Sequence, residues 1–317
     1  AGTSPGTQPY MSLFLANLLQ AAVDEVGRAC GVGSTTSSLV LAATVGGIQS
    51  LMAVTETNKP TSAKRTRAQW SMVTDAGSAP TYAIAPSIDD APTSSGIKRP
   101  VKTFVAPLPT DSAGPLVAFV HKVGGIASTL LGGRCSGCKI VGNAGQLIMI
   151  EWTFMGDSIV VEDKASLPAY VKNTTPGVVC TRSPVWFNGT NIGTANFEID
   201  ISPATEADES TEASNGRASI DVLALAPKIT ITPTFTNTIR ALKRAGTKGP
   251  LLIQLGSGAY DGTKCNAGAI HFAEAFVPDV KPKNAKGRLK AGMSLEASRN
   301  GLFSGTTPSR FMQIALI

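Results

Sequence analysis

Five cysteines and two histidines are the side chains with most to offer a metal or a nucleophilic reaction. Two of them stand close together, Cys135-x-x-Cys138 in RCSGC (Arg134–Cys138). A zinc site needs a second pair at a matching spacing, and neither Cys180, Cys265, His121 nor His271 supplies one. A redox pair belongs at the start of a helix that follows a strand, whereas glycine, serine and valine surround this one. The two cysteines therefore read as residues of a turn. An odd count of five at low density also argues against a disulfide framework. His121 and His271 stand among apolar neighbours in strand-like segments, the setting of a core or rim histidine rather than of a ligand or general base.

The remaining reactive patterns are each missing a part. No G-x-S-x-G elbow is present. The glycine-rich LGGRCSG (Leu131–Gly137) and QLGSGAYDG (Gln254–Gly262) lack the G-x-x-x-x-G-K-[ST] loop that cradles phosphates. Glu206, Asp208, Glu209 and Glu212 form an acidic cluster without the glycine pivot of an EF-hand, so a solvated loop is expected there. No catalytic, cofactor-binding or metal-ligating residue is assigned, no cofactor is expected, and the chain is not expected to be an enzyme.

Composition points toward assembly. Only 16% of the 317 residues are charged, below the usual quarter for soluble domains. A surface so poor in charge is best explained if copies of the chain, or other partners, cover much of it. The net charge of +6 raises nucleic acid as a ligand. The basic residues are scattered, however: Lys64, Arg65 and Arg67; Lys98 and Arg99; Arg240, Lys243 and Arg244; then Lys281 to Lys290. No aromatic ladder is interleaved with them and no finger or zipper spacing fits, so sequence-specific binding is not expected. The apolar run Met11–Ala22 is too short to span a bilayer and carries Asn17 and Gln20. No secretory leader is read, and the expected setting is a reducing cytoplasm.

The elements that position these residues are mainly strands. Between Gly189 and Phe235, Phe197, Ile199 and Ile201 alternate with Asn196, Glu198 and Asp200, and Ala218, Ile220 and Val222 alternate with Ser219 and Asp221. Period-two alternation of this kind gives sheets with one buried and one wet face. The acidic insert between these two strands is expected to lack structure. Upstream, Ala1–Pro9 reads as a flexible arm. Met11–Ala29 reads as a helix, with Ser12 as its cap and Gly31 as its stop. Ser38–Val54 reads as a strand bent at Gly46 and Gly47. Lys59–Pro109, with Trp70, Tyr82 and Phe104, reads as an extended hairpin or arm that clasps a neighbour. Leu116–Val123 is a strand, Gly132–Gly145 a set of turns, and Gln146–Phe154 (QLIMIEWTF) a strand buried on both faces.

Turn-rich Asp157–Pro176 divides the chain into an N-terminal half, 1–160, and a C-terminal half, 161–317. The second half carries strands near Val185 and at Asn196–Ile201, Arg217–Leu225 and Lys228–Phe235. A helix at Asn237–Ala245 follows, capped by Thr236 or Asn237, with Ile239 and Leu242 inward. Strands at Leu251–Leu255, Ala269–Val277, Arg288–Ala297 and Phe311–Ile317 complete the pattern. The expected class is mainly β, a sandwich or barrel carrying a short helix on its flank. Cys138–Phe154 and Cys265–Phe276 both run Asn-Ala-Gly into an apolar strand containing a glutamate, which leaves open a duplicated plan or two similar turns.

From Gly125 to Ile317 the order of these elements resembles the tail tube proteins of long-tailed bacteriophages. The residues that carry the likeness are GGRCSGCKIVGNAGQLIMIEWTFMGD (Gly132–Asp157), FNGTNIGTANFEIDISPATE (Phe187–Glu206) and RASIDVLALAPKITITPTFTNTIRALKRAG (Arg217–Gly246). LLIQLGSG and the strands Ala269–Val277 and Arg288–Ala297 complete it. PYMSLFLANLLQAAVDEVGRACG is similar to that family's short helix ending in Cys-Gly, although the strands expected before it are missing. The resemblance implies β-sandwiches whose inner sheets join side by side into a closed barrel, in trimeric or hexameric rings that stack around a channel for duplex DNA. Its implied partners are further copies of the chain, a tape measure protein, a tail terminator and distal tail proteins, with no membrane. Its implied location is the virion tail, after synthesis in the cytoplasm of a bacterial host. Asn196, Glu198, Asp200, Ser294 and Glu296 are then candidates for the channel wall. Other readings are a different phage structural protein (a tube initiator, a tail terminator or an adhesin-like subunit) or a carbohydrate-binding β-sandwich.

Overall fold

A computed structural model describes residues 15, 18–21, 35, 37–40, 53–56, 70–75, 81–85, 97–98, 102–105, 116–163, 178–181, 183–212, 217–256, 268–285, 287–297 and 312–316. The early strands are β1 (Gln20–Ala21), β2 (Ser38–Val40), β3 (Ala53–Glu56), β4 (Trp70–Asp75), β5 (Thr81–Ala85), β6 (Ile97–Lys98) and β7 (Lys102–Val105). Next come β8 (Val117–Val123), β9 (Ile126–Asn143), β10 (Met149–Met155), β11 (Ser158–Asp163), β12 (Val185–Phe187), β13 (Thr190–Asn191) and β14 (Thr194–Ile201). The last are β15 (Pro203–Glu209), β16 (Arg217–Leu225), β17 (Lys228–Pro233), β18 (Lys248–Leu255), β19 (Gly268–Ala285), β20 (Arg288–Ala297) and β21 (Met312–Leu316), with helix α1 (Asn237–Arg244) between β17 and β18.

The fold is mainly β, as the alternation predicts. One open antiparallel sheet runs β1-β7-β21-β19-β20-β17-β14-β9-β10, with β8, β11, β12, β13 and β18 branching from it. A smaller sheet runs β2-β5-β4-β3-β6, and β15 pairs with β16 alone. Two long strands make the branches possible by changing partners along their length. The first half of β19 pairs with β18 and β21 and its second half with β20, on either side of an irregularity between Phe276 and Asp279. In β9 the first half pairs with β8 and β11 and the second with β10 and β14.

One core serves both parts of the large sheet. Phe197, Ile199 and Ile201 of β14, Ile229 and Ile231 of β17, and Met293 and Leu295 of β20 join Phe187, Leu251, Ile270 and Ile314 in a single buried cluster. Each such side chain contributes roughly 1.5–3 kcal/mol when removed from water. Ile239 of α1 enters the same cluster, and Thr236 caps the helix by accepting from the Ile239 N–H at 3.2 Å. The helix therefore lies where its Thr cap and apolar spacing put it.

Several expectations are corrected. Leu15 and Leu18 are helical, but Gln20 and Ala21 pair with Val105 and Phe104, so no helix continues from Met11 to Ala29. Ladder partners there outweigh helix propensity. The glycine-rich Gly132–Gly145 is mostly strand rather than turns. At Gly142 the bare backbone is required: a Cβ there would enter the ring of Phe197, its register partner on β14. Gln146–Phe154 is not buried on both faces. Its strand β10 ends the sheet's path, with Met149, Glu151, Thr153 and Met155 exposed and Ile150, Trp152 and Phe154 only partly buried.

The acidic insert is also structured over Pro203–Glu209, as β15. Within Lys59–Pro109, β4 and β5 form a hairpin of the smaller sheet and β7 joins the large one. The 160/161 division falls inside β11, and strands from both sides share the large sheet, β14 pairing with β9 and β21 with β7. Asn143 ends the strand β9 and Ala144 and Gly145 form the turn after it, whereas Gly268 opens β19 in the sheet interior. The arm Ala1–Pro9 lies outside the described residues.

Candidate assembly surface

The wet face of the sheet forms an ordered polar wall. Register places Glu151, Lys139, Asp200, Lys228 and Glu296 in one row across β10, β9, β14, β17 and β20, so charge alternates in sign from strand to strand. Opposite charges on directly facing positions support a sheet, by roughly 0.2–1 kcal/mol a pair. A second row holds Met149, Val141, Glu198, Thr230 and Ser294, and a third holds Asn143 and Asn196. Lys139 Nζ lies 2.8 Å from Glu198 Oε1, and that hydrogen bond raises the lysine's pKa. All five candidate wall residues, Asn196, Glu198, Asp200, Ser294 and Glu296, thus share this face. The first two rows hold four carboxylates against two ammonium groups, while Lys290 and Arg288 stand on the same face toward the other end of β20, so the face is acidic only at the Asp200–Glu296 end.

The wall has two unlike borders. On one side stands β10, with no Pro or Lys in MIEWTFM. On the other stands the outer half of β19, whose Pro278, Lys281, Pro282 and Lys283 are residues that blunt a sheet edge.

Beyond the wall, β8, the first half of β9 and β11 form a three-stranded wing. Val123, Ile126, Ile159 and Val161 fall on one of its faces and are 64%, 50%, 67% and 64% exposed. His121 lies between them in register with Ser128 and is exposed, so it is no core histidine. The wing joins the body through Phe119, whose ring centroid is 4.4 Å from that of Phe154. Contiguous apolar exposure of this kind is what an interaction surface presents to its partner. Nothing in the sequence alone separates these valines and isoleucines from core residues.

The Cys pair is explained by a bulge rather than a turn. Thr153 faces Gly137 and Phe154 faces Cys135, leaving Ser136 as the extra residue, so Cys135 and Cys138 both point into the core. Burial pushes the Cys135 thiol up to about 11 and raises Cys138 as well. These are unreactive thiols at neutral pH. Cys180 is a free, buried thiol too. Cys265 lies outside the described residues.

His271 is fully buried on β19, between Leu252 of β18 and Gln313 of β21. Neither ring nitrogen has a hydrogen-bond partner among the described residues, and desolvation pushes its pKa down to about 3. Among the described residues no group of three His, Cys, Asp or Glu is placed to hold a metal ion. No helix among them is long and apolar enough to cross a membrane.

No protein-family model matches the chain, and no curated protein matches it by sequence.

Proposed function

We propose that this chain is a structural subunit of a bacteriophage tail tube, and not an enzyme. Copies stand side by side, their sheets close into a barrel, and the rings stack around a channel that duplex DNA crosses on its way to the host. The two parts of the large sheet act as the layers of a sandwich in this reading, with the wall of charged rows turned to the channel. The observation that carries it is that wall: a polar face five strands wide, uncovered among the described residues, with carboxylates concentrated in its Glu151–Glu296 and Glu198 rows and a border at β10 whose outer edge no described strand pairs. In this reading the carboxylate rows line the channel and repel phosphate within a Debye length of about 8–10 Å, so DNA passes without adhering. Closure between copies removes the edge hazard that β10 carries when single. The apolar wing supplies a second reason for assembly, since it stays wet on an isolated subunit.

Electron microscopy of the purified full chain tests the proposal. Rings or hollow tubes are the expected result. Dispersed globules at high concentration, even with a tape measure protein, tail terminator and distal tail proteins present, would overturn it.

A further inference from the structure

The fold separates charge between the two ends of its central strands. At the Asp200–Lys228 end, the β15–β16 hairpin leaves the sheet. Glu206, Asp208 and Glu209 on β15 and Glu212 in the turn after it are all exposed. Ala207 and Ile220 take the alternate positions, with Ile220 buried. Register sets Glu206 opposite Asp221 and Glu209 opposite Arg217.

The opposite end is basic. There β17 passes into α1, and the Phe235 N–H donates to the Leu289 carbonyl at 3.4 Å while Lys290 Nζ donates to Thr234 Oγ1 at 3.2 Å. Those contacts set α1 beside the hairpin of β19 and β20. Lys243 and Lys281 hold Asp279 between them at 2.6 and 3.1 Å, which fixes the helix to that hairpin. Arg240, Arg244, Lys283 and Arg288 remain exposed on the joint surface, without an ion pair among the described residues. Four exposed carboxylates at one end thus face four exposed cations at the other.

We infer that the acidic β15–β16 hairpin of one copy docks on the basic surface that α1 and the β19–β20 hairpin form on the next copy; this rests on the self-assembling reading above. The two surfaces leave β17 from opposite ends, roughly 20 Å apart at about 3.3 Å per residue, which is beyond ion-pair reach within one copy. Unlike patches at opposite ends make a heterologous contact, which repeats head to tail instead of closing as a dimer. Arginine forks on carboxylates give such a contact direction as well as attraction.

Complementary charge reversal tests it. One variant carries Glu206→Lys, Asp208→Lys and Glu209→Lys; the other carries Arg240→Glu, Arg244→Glu and Lys283→Glu. Each alone should fall at least roughly tenfold in self-association by sedimentation, and an equal mixture should recover it, because each hairpin then meets an opposite surface. Wild-type association should weaken from about 50 mM to about 500 mM salt. Variants that associate as the wild type does, or a mixture that fails to recover while each still melts cooperatively, overturn the docking and leave the tube proposal standing. A wild type that stays monomeric at every salt concentration overturns both.

Discussion

Residues 134–143 of β9 lie between β10 and β14, whereas residues 126–133 of the same strand lie between β8 and β11. The first stretch sends Cys135, Cys138 and Ile140 into a shared core. The second belongs to a wing whose apolar face meets water at Val123, Ile126, Ile159 and Val161. Ladder hydrogen bonds are present in both, so pairing alone does not decide burial. What differs is the second layer, supplied in the body by β18, β19 and β21 and absent over the wing among the described residues. Stability is therefore concentrated in the body, and under the proposed assembly the wing's apolar area is covered between copies.

The sharpest way to break the comparison is a cavity in the body. Phe197→Ala should destabilise the fold by about 3–5 kcal/mol, measured by urea denaturation, since this ring is buried against Gly142. Gly142→Ala attacks the same contact from the other strand and should lose about 1–3 kcal/mol through overpacking. Acid separates the regions in another way. His271 has a folded-state pKa near 3 against an ordinary 6.5, so the unfolded chain binds its proton first. Its contribution is intact above pH 6.5 and is lost as pH falls from there toward 3. His271→Leu should flatten that part of the stability profile. The smallest effect belongs to the wing. Ile159→Ser with Val161→Ser should change monomer stability by no more than about 0.5 kcal/mol each while abolishing assembly seen by sedimentation.

Local alternation made the body legible. Asn-Phe-Glu-Ile-Asp-Ile of β14 states its own faces, and the Thr236 cap with Ile239 and Gly246 states the helix. Non-local facts were hidden. Glycines in β9 resemble turn residues until Phe197 is known to lie over Gly142. Cys135 and Cys138 resemble a ligand pair until the bulge at Ser136 is placed. QLIMIEWTF has the composition of a central strand, and only the sheet order reveals it as a border. Arg240 and Lys283 are far apart in sequence, and the Phe235–Leu289 hydrogen bond is what joins their surfaces. The acidic β15 hid for the opposite reason: its charges suit a loop, while its partner β16 lies beyond a turn.

Hydrogen exchange of the β10 peptide, compared between dispersed subunits and assembled particles, tests lateral closure most directly. Strand β14, flanked on both sides, should exchange slowly in both states. Strand β10 should exchange quickly in the dispersed subunit and fall to the rate of β14 on assembly. Equal exchange of β10 in both states, in particles that are demonstrably assembled, would contradict the account.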